Sequence, residues 1–363
     1  LTHRGYVLFA FVLPLVAAAI LEALIALRSD AGGRPGLVVA GQCVLAASLL
    51  FTAWTKSPWG LTVGLALAGT SSGVACGAAQ ALLVTAGRGD ADRVMVRWSL
   101  FSAIGDILTP LVTAAAVRLG YSYRAAMLAV GVVVCAQCVA SIVLLRARGV
   151  QPDEREKGEE GEDGEPAPEP IRQALARAWR LPRLWGWLFA AASCTLLDEL
   201  VVALAVLRLD RDQGVSPALA TASGVVFAAG SVVGAALTDR VVARVPRRTV
   251  LLASACACAC ALGVFLASGS VAASCAALFV VGVTCAPHHP LALAAAYAEL
   301  PGNPGTVQAL AQLFVVLEIG APLALGVIAD RFGLRSALGC LVVQPVAVFV
   351  CAAAAGRASR PRS

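Results

Sequence analysis

Long apolar runs separated by short polar turns recur from one end of the chain to the other. A helix needs about 20 predominantly apolar residues to cross a hydrocarbon core ~30 Å thick. Runs of that kind occupy residues 6–27, 36–54, 59–86, 98–117, 125–145, 184–207, 218–238, 249–267, 271–298, 306–328 and 336–355. The pattern therefore predicts an all-α integral membrane protein with eleven spans. One stretch breaks the rhythm. Asp153-Glu154-Arg155-Glu156-Lys157 leads into Gly-, Glu- and Pro-rich sequence ending at Pro170, the composition of a disordered linker. Ile171 to Arg183 then reads as basic and amphipathic, suited to lying at the membrane surface. The expected organisation is a helical half at 1–147 with five spans, an acidic linker with its amphipathic stretch at 148–183, and a second helical half at 184–363 with six.

Composition narrows the function classes. Hydrophobic residues make up 59% of the chain and charged residues 14%. The mean hydropathy is +0.81, and a single anchor on a soluble domain would be diluted to near zero. A net charge of +6 would suggest a nucleic-acid partner in a soluble protein, but here its placement matters more. Counting alternate loops puts 20 of the 28 Lys and Arg on one side, the side of the central linker and the C-terminus. That side is expected to be cytoplasmic in the cell membrane, with the bilayer and not nucleic acid as the partner surface. The other eight are Arg4, Lys56, Arg118, Arg124, Arg208, Arg211, Arg331 and Arg335, all read as lying outside the spans. Twelve cysteines sit within apolar runs, where a thiol behaves as a small hydrophobe. No His partners stand at zinc-ligand spacing, so no metal or other cofactor is expected.

The chain also repeats itself. Asp106-Ile107-Leu108-Thr109-Pro110-Leu111 matches Glu318-Ile319-Gly320-Ala321-Pro322-Leu323 at an offset of 212 residues. The stretch from Arg34 falls opposite that from Arg247 at an offset of 213. By this repeat the partner of the 184–207 span would precede Leu1, so the expected architecture is two six-helix halves with the first helix absent from this sequence.

One motif lies between the 218–238 and 249–267 runs. Gly234, Leu237-Thr238-Asp239-Arg240, Arg244 and Pro246-Arg247-Arg248 form an Asp/Arg cluster at a helix-to-helix turn. Such charges complement helix termini and can bridge neighbouring helices in one conformation and release them in another. Ser29-Asp30-Ala31-Gly32-Gly33-Arg34 is a weaker first-half counterpart. The plainer reading of the same arginines is positive-inside anchoring. With its spans, charged linker and this loop, the chain resembles the major facilitator superfamily, whose cytoplasmic Gly-x-Leu-Ala-Asp-Arg-x-Gly-Arg-Arg loop it approximates. It departs from that loop at Ala235 and in the extra residues after Arg240. The resemblance implies two six-helix halves, alternating access, and a cytoplasmic latch at Asp239, Arg240, Arg244, Arg247 and Arg248, with Asp30 and Arg34 in the other half.

Ionisable groups inside spans carry the sharpest signal, because an acid at mid-helix costs ~2.5–3.5 kcal/mol even on the lenient insertion scale. They are Glu22, Asp106, Asp198, Glu199, Glu318 and the pair His288-His289. The fixed charges among them are all acidic, which favours protons together with neutral or cationic solutes. Asp106 and Glu318 each stand four residues before a proline, and Pro110 and Pro322 are candidate hinges. Either the two acids carry protons or they are helix-packing carboxyls. Adjacent positions on an α-helix diverge by roughly 100°, so only one of Asp198 and Glu199 is expected to face a cavity. Glu22 fits an interface salt bridge as well as a coupling role. His288 and His289, between two prolines, fit either substrate or proton contact or a satisfied kink. The Gly105 to Pro110 segment is distantly similar to the glycine-proline motif of the family's antiporters, which tilts the expectation toward efflux. The sequence thus points to a secondary transporter of a small organic solute coupled to protons, not an enzyme. A non-transporting membrane sensor or an inactive truncated transporter is the alternative.

Overall fold

The computed structural model describes residues 8–30, 34–86, 90–147 and 169–357. The acidic run of the linker, the Gly32-Gly33 pair, Arg360 and Arg362 lie outside the described residues. Those described are helical or in turns, with no strand among them. After a wide π turn at Leu8–Val12 come α1 (Leu13–Ser29), α2 (Arg34–Trp54), α3 (Pro58–Ala86), α4 (Ala91–Arg118), α5 (Tyr123–Ala147) and the short α6 (Ile171–Trp179). Then follow α7 (Pro182–Ser193), a second π turn at Leu196–Leu200, α8 (Val201–Gln213), α9 (Pro217–Val242), α10 (Arg247–Ala267), α11 (Val271–Cys285) and α12 (His288–Glu299). The last elements are α13 (Pro304–Ala311), α14 (Val315–Phe332), α15 (Leu334–Cys340) and α16 (Val343–Arg357).

Ten stretches among the described residues are long and apolar enough to cross a membrane. The 28-residue helix α4 covers the remaining run expected at 98–117. It begins seven residues earlier than the apolar run, because its first turn carries Asp92, whose charge complements a helix N-terminus. Proline opens α7, α9 and α13, where its missing N–H has no intrahelical partner to lose. Gly214, in the left-handed region at φ 64°, closes α8. The repeat seen in the sequence reappears in the helix starts. Arg34 and Arg247, Pro58 and Val271, and Ala91 and Pro304 each stand 213 residues apart.

The chain divides into two compact units. One comprises Leu1–Arg88, Pro110–Arg180 and Leu300–Val315. Within it α2 packs on α3 and α5, and α1 on α3 and α13. The other comprises Gly89–Thr109, Leu181–Glu299 and Val316–Ser363. Its core is built from Leu197, Val201, Phe227, Cys258, Leu262, Phe265, Leu278, Val281, Cys285 and Leu338. Cys258 and Cys285 sit in that core as small apolar side chains. Helices α9 and α11 approach backbone to backbone: a Cβ on Gly230 or Gly234 would run into the carbonyls of Phe279 and Val283, and one on Gly282 into that of Phe227. This is the close packing expected of a small-residue spacing in a membrane helix.

Candidate functional site

Four of the acids singled out in the sequence lie in the second unit. Asp106 is on α4, Asp198 and Glu199 are on the π turn between α7 and α8, and Glu318 is in the first turn of α14. All four side chains are exposed on the protein surface. They also act on one another electrostatically: Asp198 feels Asp106 and Glu199, Glu199 feels Asp106, and Glu318 feels Glu199. Among the described residues, no Lys or Arg is among the charges that reach them. The sequence expectation is that only one of Asp198 and Glu199 faces a cavity. In the structure both are exposed and both sense Asp106, on a stretch where the helix widens into a π turn.

Pro322 stands inside α14. A proline within a helix removes the hydrogen bond to the carbonyl four residues back, which is that of Glu318 itself. The same spacing relates Pro110 to Asp106, although the Pro110 side chain lies outside the described residues.

The histidine pair follows a two-residue break, Ala286-Pro287, between α11 and α12. His288 is fully buried and His289 partly so. His288 Nδ1 is 3.3 Å from the Gln344 amide nitrogen, and the Gln344 amide oxygen accepts the Leu197 N–H at 3.0 Å. Glu22 is in the first unit. It is buried on α1 with its carboxylate against Gly73 of α3, beside a small cavity also lined by Gly77, Gly305 and Gln308.

The Asp/Arg motif resolves into two clasps of different strength. In the second unit, Asp239 near the end of α9 accepts hydrogen bonds from Arg93 at 3.1 Å and Arg97 at 2.9 Å, both in the first two turns of α4. Arg247 donates to Asp92 at 2.7 Å, and Arg248 to the Ala352 carbonyl at 3.1 Å. Arg240 and Arg244 are exposed. Asp92, Arg93 and Arg97 were not singled out from the sequence, since a charge at a helix start is ordinary until the partner is known.

In the first unit, Asp30 accepts the Gly305 N–H at 2.6 Å, the Thr306 N–H at 2.7 Å and the Thr306 hydroxyl at 2.8 Å, all at the start of α13. Arg34 is 3.8 Å away and also donates to Thr85. Burial pushes the Asp30 carboxyl above its ordinary value, while the Thr306 and Gly305 bonds and the Arg34 charge pull it back. The half of the motif that is weaker in sequence is therefore the more enclosed one. A signal for it was present in Asn303-Pro304-Gly305-Thr306, a helix opening with room for a carboxylate at its N–H groups.

Arg208 departs from its sequence reading. It lies within the apolar Pro182–Gln213 stretch and is 5% exposed. Its guanidinium donates to the carbonyls of Phe265, Leu266 and Ser268 at the end of α10 and lies over the Phe265 ring. These are the carbonyls a helix C-terminus leaves unpaired. Among the described residues no group of three His, Cys, Asp or Glu side chains is arranged to hold a metal ion.

Solved transporters share this fold. FucP, a Major Facilitator Superfamily transporter in its outward conformation, is similar with a TM-score of 0.69 at 16% identity, covering 96% of this chain and 88% of that one. The proton:xylose symporter XylE gives 0.66 at 12%, covering 95% and 84%. The human organic anion transporter MFSD10 gives 0.63 at 14%, covering 96% and 83%. No curated protein matches the chain by sequence. The family description Major Facilitator Superfamily matches residues 3–317, and the chain belongs to that family.

Proposed function

We propose that this chain is a secondary active transporter that moves a small organic solute by alternating access, with protons as the coupling ion. One observation carries the coupling: Asp106, Asp198, Glu199 and Glu318 gather in one unit with no cation, among the described residues, in the charges that reach them. Carboxylates so grouped cannot all stay ionised at low cost, so a proton taken up or released changes the charge that the surrounding helices must accommodate. An acidic group also disfavours anionic solutes, so neutral or cationic ones fit it. The relatives include a fucose:proton symporter and a proton:xylose symporter, which supports proton coupling. Direction is set here as efflux over uptake, on the likeness of Gly105 to Pro110 to the antiporter motif. The topology that goes with this reading has eleven spans in two halves, with the central linker and C-terminus on the cytoplasmic side of the cell membrane. In it the Asp239 and Asp30 clasps close the cytoplasmic ends, and Pro110 and Pro322 act as hinges.

The test uses proteoliposomes containing the purified protein and an internal pH dye, challenged with L-fucose, D-xylose or ethidium under an imposed pH gradient. Solute-dependent proton movement that falls at least about tenfold in Asp106→Asn, Glu318→Gln and the double variant Asp198→Asn with Glu199→Gln supports the proposal. Gradient-driven flux undiminished in all three overturns the coupling assignment. Ligand binding without flux of any probe favours the sensor reading.

A further inference from the structure

Three irregularities of the backbone meet at one side chain in the second unit. The first is the π turn Leu196–Leu200, which carries Asp198 and Glu199. The second is the Ala286-Pro287 break that precedes His288, and the third is the Leu341-Val342 turn between α15 and α16. Gln344 follows that third break and is fully buried. Non-helical backbone at membrane depth persists only where its polar groups are satisfied within the protein, and Gln344 supplies part of that satisfaction.

The donors and acceptors at Gln344 favour one arrangement. A backbone N–H can only donate, so the atom of Gln344 that meets the Leu197 N–H at 3.0 Å is the amide oxygen. The other end of the amide is then the NH₂, which can only donate. Its neighbour at 3.3 Å, Nδ1 of His288, must accept. A neutral imidazole accepting at Nδ1 carries its proton on Nε2. The Leu197 N–H also reaches back to the Cys194 carbonyl at 3.2 Å, which the Asp198 N–H reaches too at 3.1 Å. The ladder is thus doubled on one carbonyl where the turn widens, and the Gln344 oxygen gives Leu197 a second acceptor.

We propose that Gln344 is a positioning residue for the Asp198 and Glu199 carboxylates, holding the widened turn at Leu197 and keeping His288 in its Nε2–H tautomer. The proposal rests on the reading that these carboxylates carry the coupling proton. Substituting the amide frees the turn to relax toward α-helical spacing, which rotates one carboxylate away from its neighbour. The other ionisable groups that reach Asp198 are Asp106 and the thiols of Cys194, Cys258 and Cys285. They stay in place in such a variant and set the background against which the change is read.

Two measurements on the full chain in lipid test this without a transported solute. Nitrogen-15 spectra of histidine-labelled protein report the tautomer, and the chain has only three histidines. Dicyclohexylcarbodiimide, which modifies protonated carboxyls in apolar surroundings, reports the relative reactivity of Asp198 and Glu199 by mass spectrometry across pH. Wild type is expected to show His288 as Nε2–H. Gln344→Met, similar in volume, is expected to mix the tautomers and change the Asp198-to-Glu199 labelling ratio by about threefold or more. Gln344→Glu, labelled at a pH where its carboxyl is neutral and offers the same acceptor and donor, is expected to restore both. An Nδ1–H tautomer in wild type overturns the assignment without any variant. So does a folded Gln344→Met protein with unchanged tautomer and labelling ratio. Absence of solute-coupled proton flux would overturn the transport reading alone and leave these two readouts standing.

Discussion

The Asp30 carboxylate accepts the backbone N–H of Gly305 at 2.6 Å, joining residues 275 positions apart in the chain. Two things make the contact possible. The start of α13 presents N–H groups with no intrahelical partner, and residue 305 has no side chain. A Cβ there would meet the Ala26 carbonyl, the Ser29 hydroxyl and Asp30 itself. Gly305→Ala is therefore expected to destabilise the protein by about 1–3 kcal/mol through overpacking. The check is chemical denaturation in detergent micelles against Thr306→Val, which removes one of the three bonds and should cost about 1.5–3 kcal/mol at most.

The same carboxyl predicts a pH dependence of known sign. Its value in the folded protein is raised by burial. An acid with a raised folded value contributes stability that is fully present below its unfolded value and is lost as pH rises through the folded one. The melting-temperature difference between wild type and Asp30→Asn is expected to shrink as pH rises above the ordinary carboxyl value. A difference that grows over this range would show that the Thr306 and Gly305 bonds outweigh burial.

The Asp239 clasp should behave differently. Arg97 is 53% exposed and Arg93 38% at the side chain, with Asp239 at 22%, so solvent screens the pairs. A double-mutant cycle on Arg97 and Asp239 is expected to give a coupling energy of at most about 1 kcal/mol, falling with added salt. A larger, salt-insensitive coupling would mean the pair is far less hydrated than its exposure indicates.

Arg208 reverses the usual expectation for an arginine at a loop. Truncation to alanine would leave the Phe265, Leu266 and Ser268 carbonyls without their shared donor and remove a stacked cation. A loss of about 2–4 kcal/mol is expected for Arg208→Ala. Arg208→Lys should recover only part of it, since a single ammonium cannot reproduce the planar fork. Thermal unfolding of the purified variants reads the order.

Two glycines give opposite outcomes from one substitution. Gly282 faces the Phe227 carbonyl with no room for a Cβ, whereas a Cβ on Gly263 meets nothing within 4 Å. Gly282→Ala is expected to cost about 1–3 kcal/mol. Gly263→Ala, in the interior of α10, should gain up to about 1 kcal/mol from helix propensity. Parallel denaturation curves settle both signs.

What the sequence determined by itself is what one-dimensional patterns can encode. Apolar runs long enough to span a bilayer located the helices, and the repeat around Asp106 and Glu318 reappears as helix starts 213 residues apart. The cost of burying charge made the acids legible one by one. Their gathering was not legible, because Asp106 reaches Asp198 and Glu199, and Glu318 reaches Glu199, only through helix packing. The same limit hid Gln344, Arg208 and Gly305. Each is unremarkable in composition, and each acquires its role from a hydrogen bond between a backbone group and a side chain far away in the sequence. Sequence names the side chains that carry charge, whereas only the tertiary structure decides which unpaired backbone ends they meet.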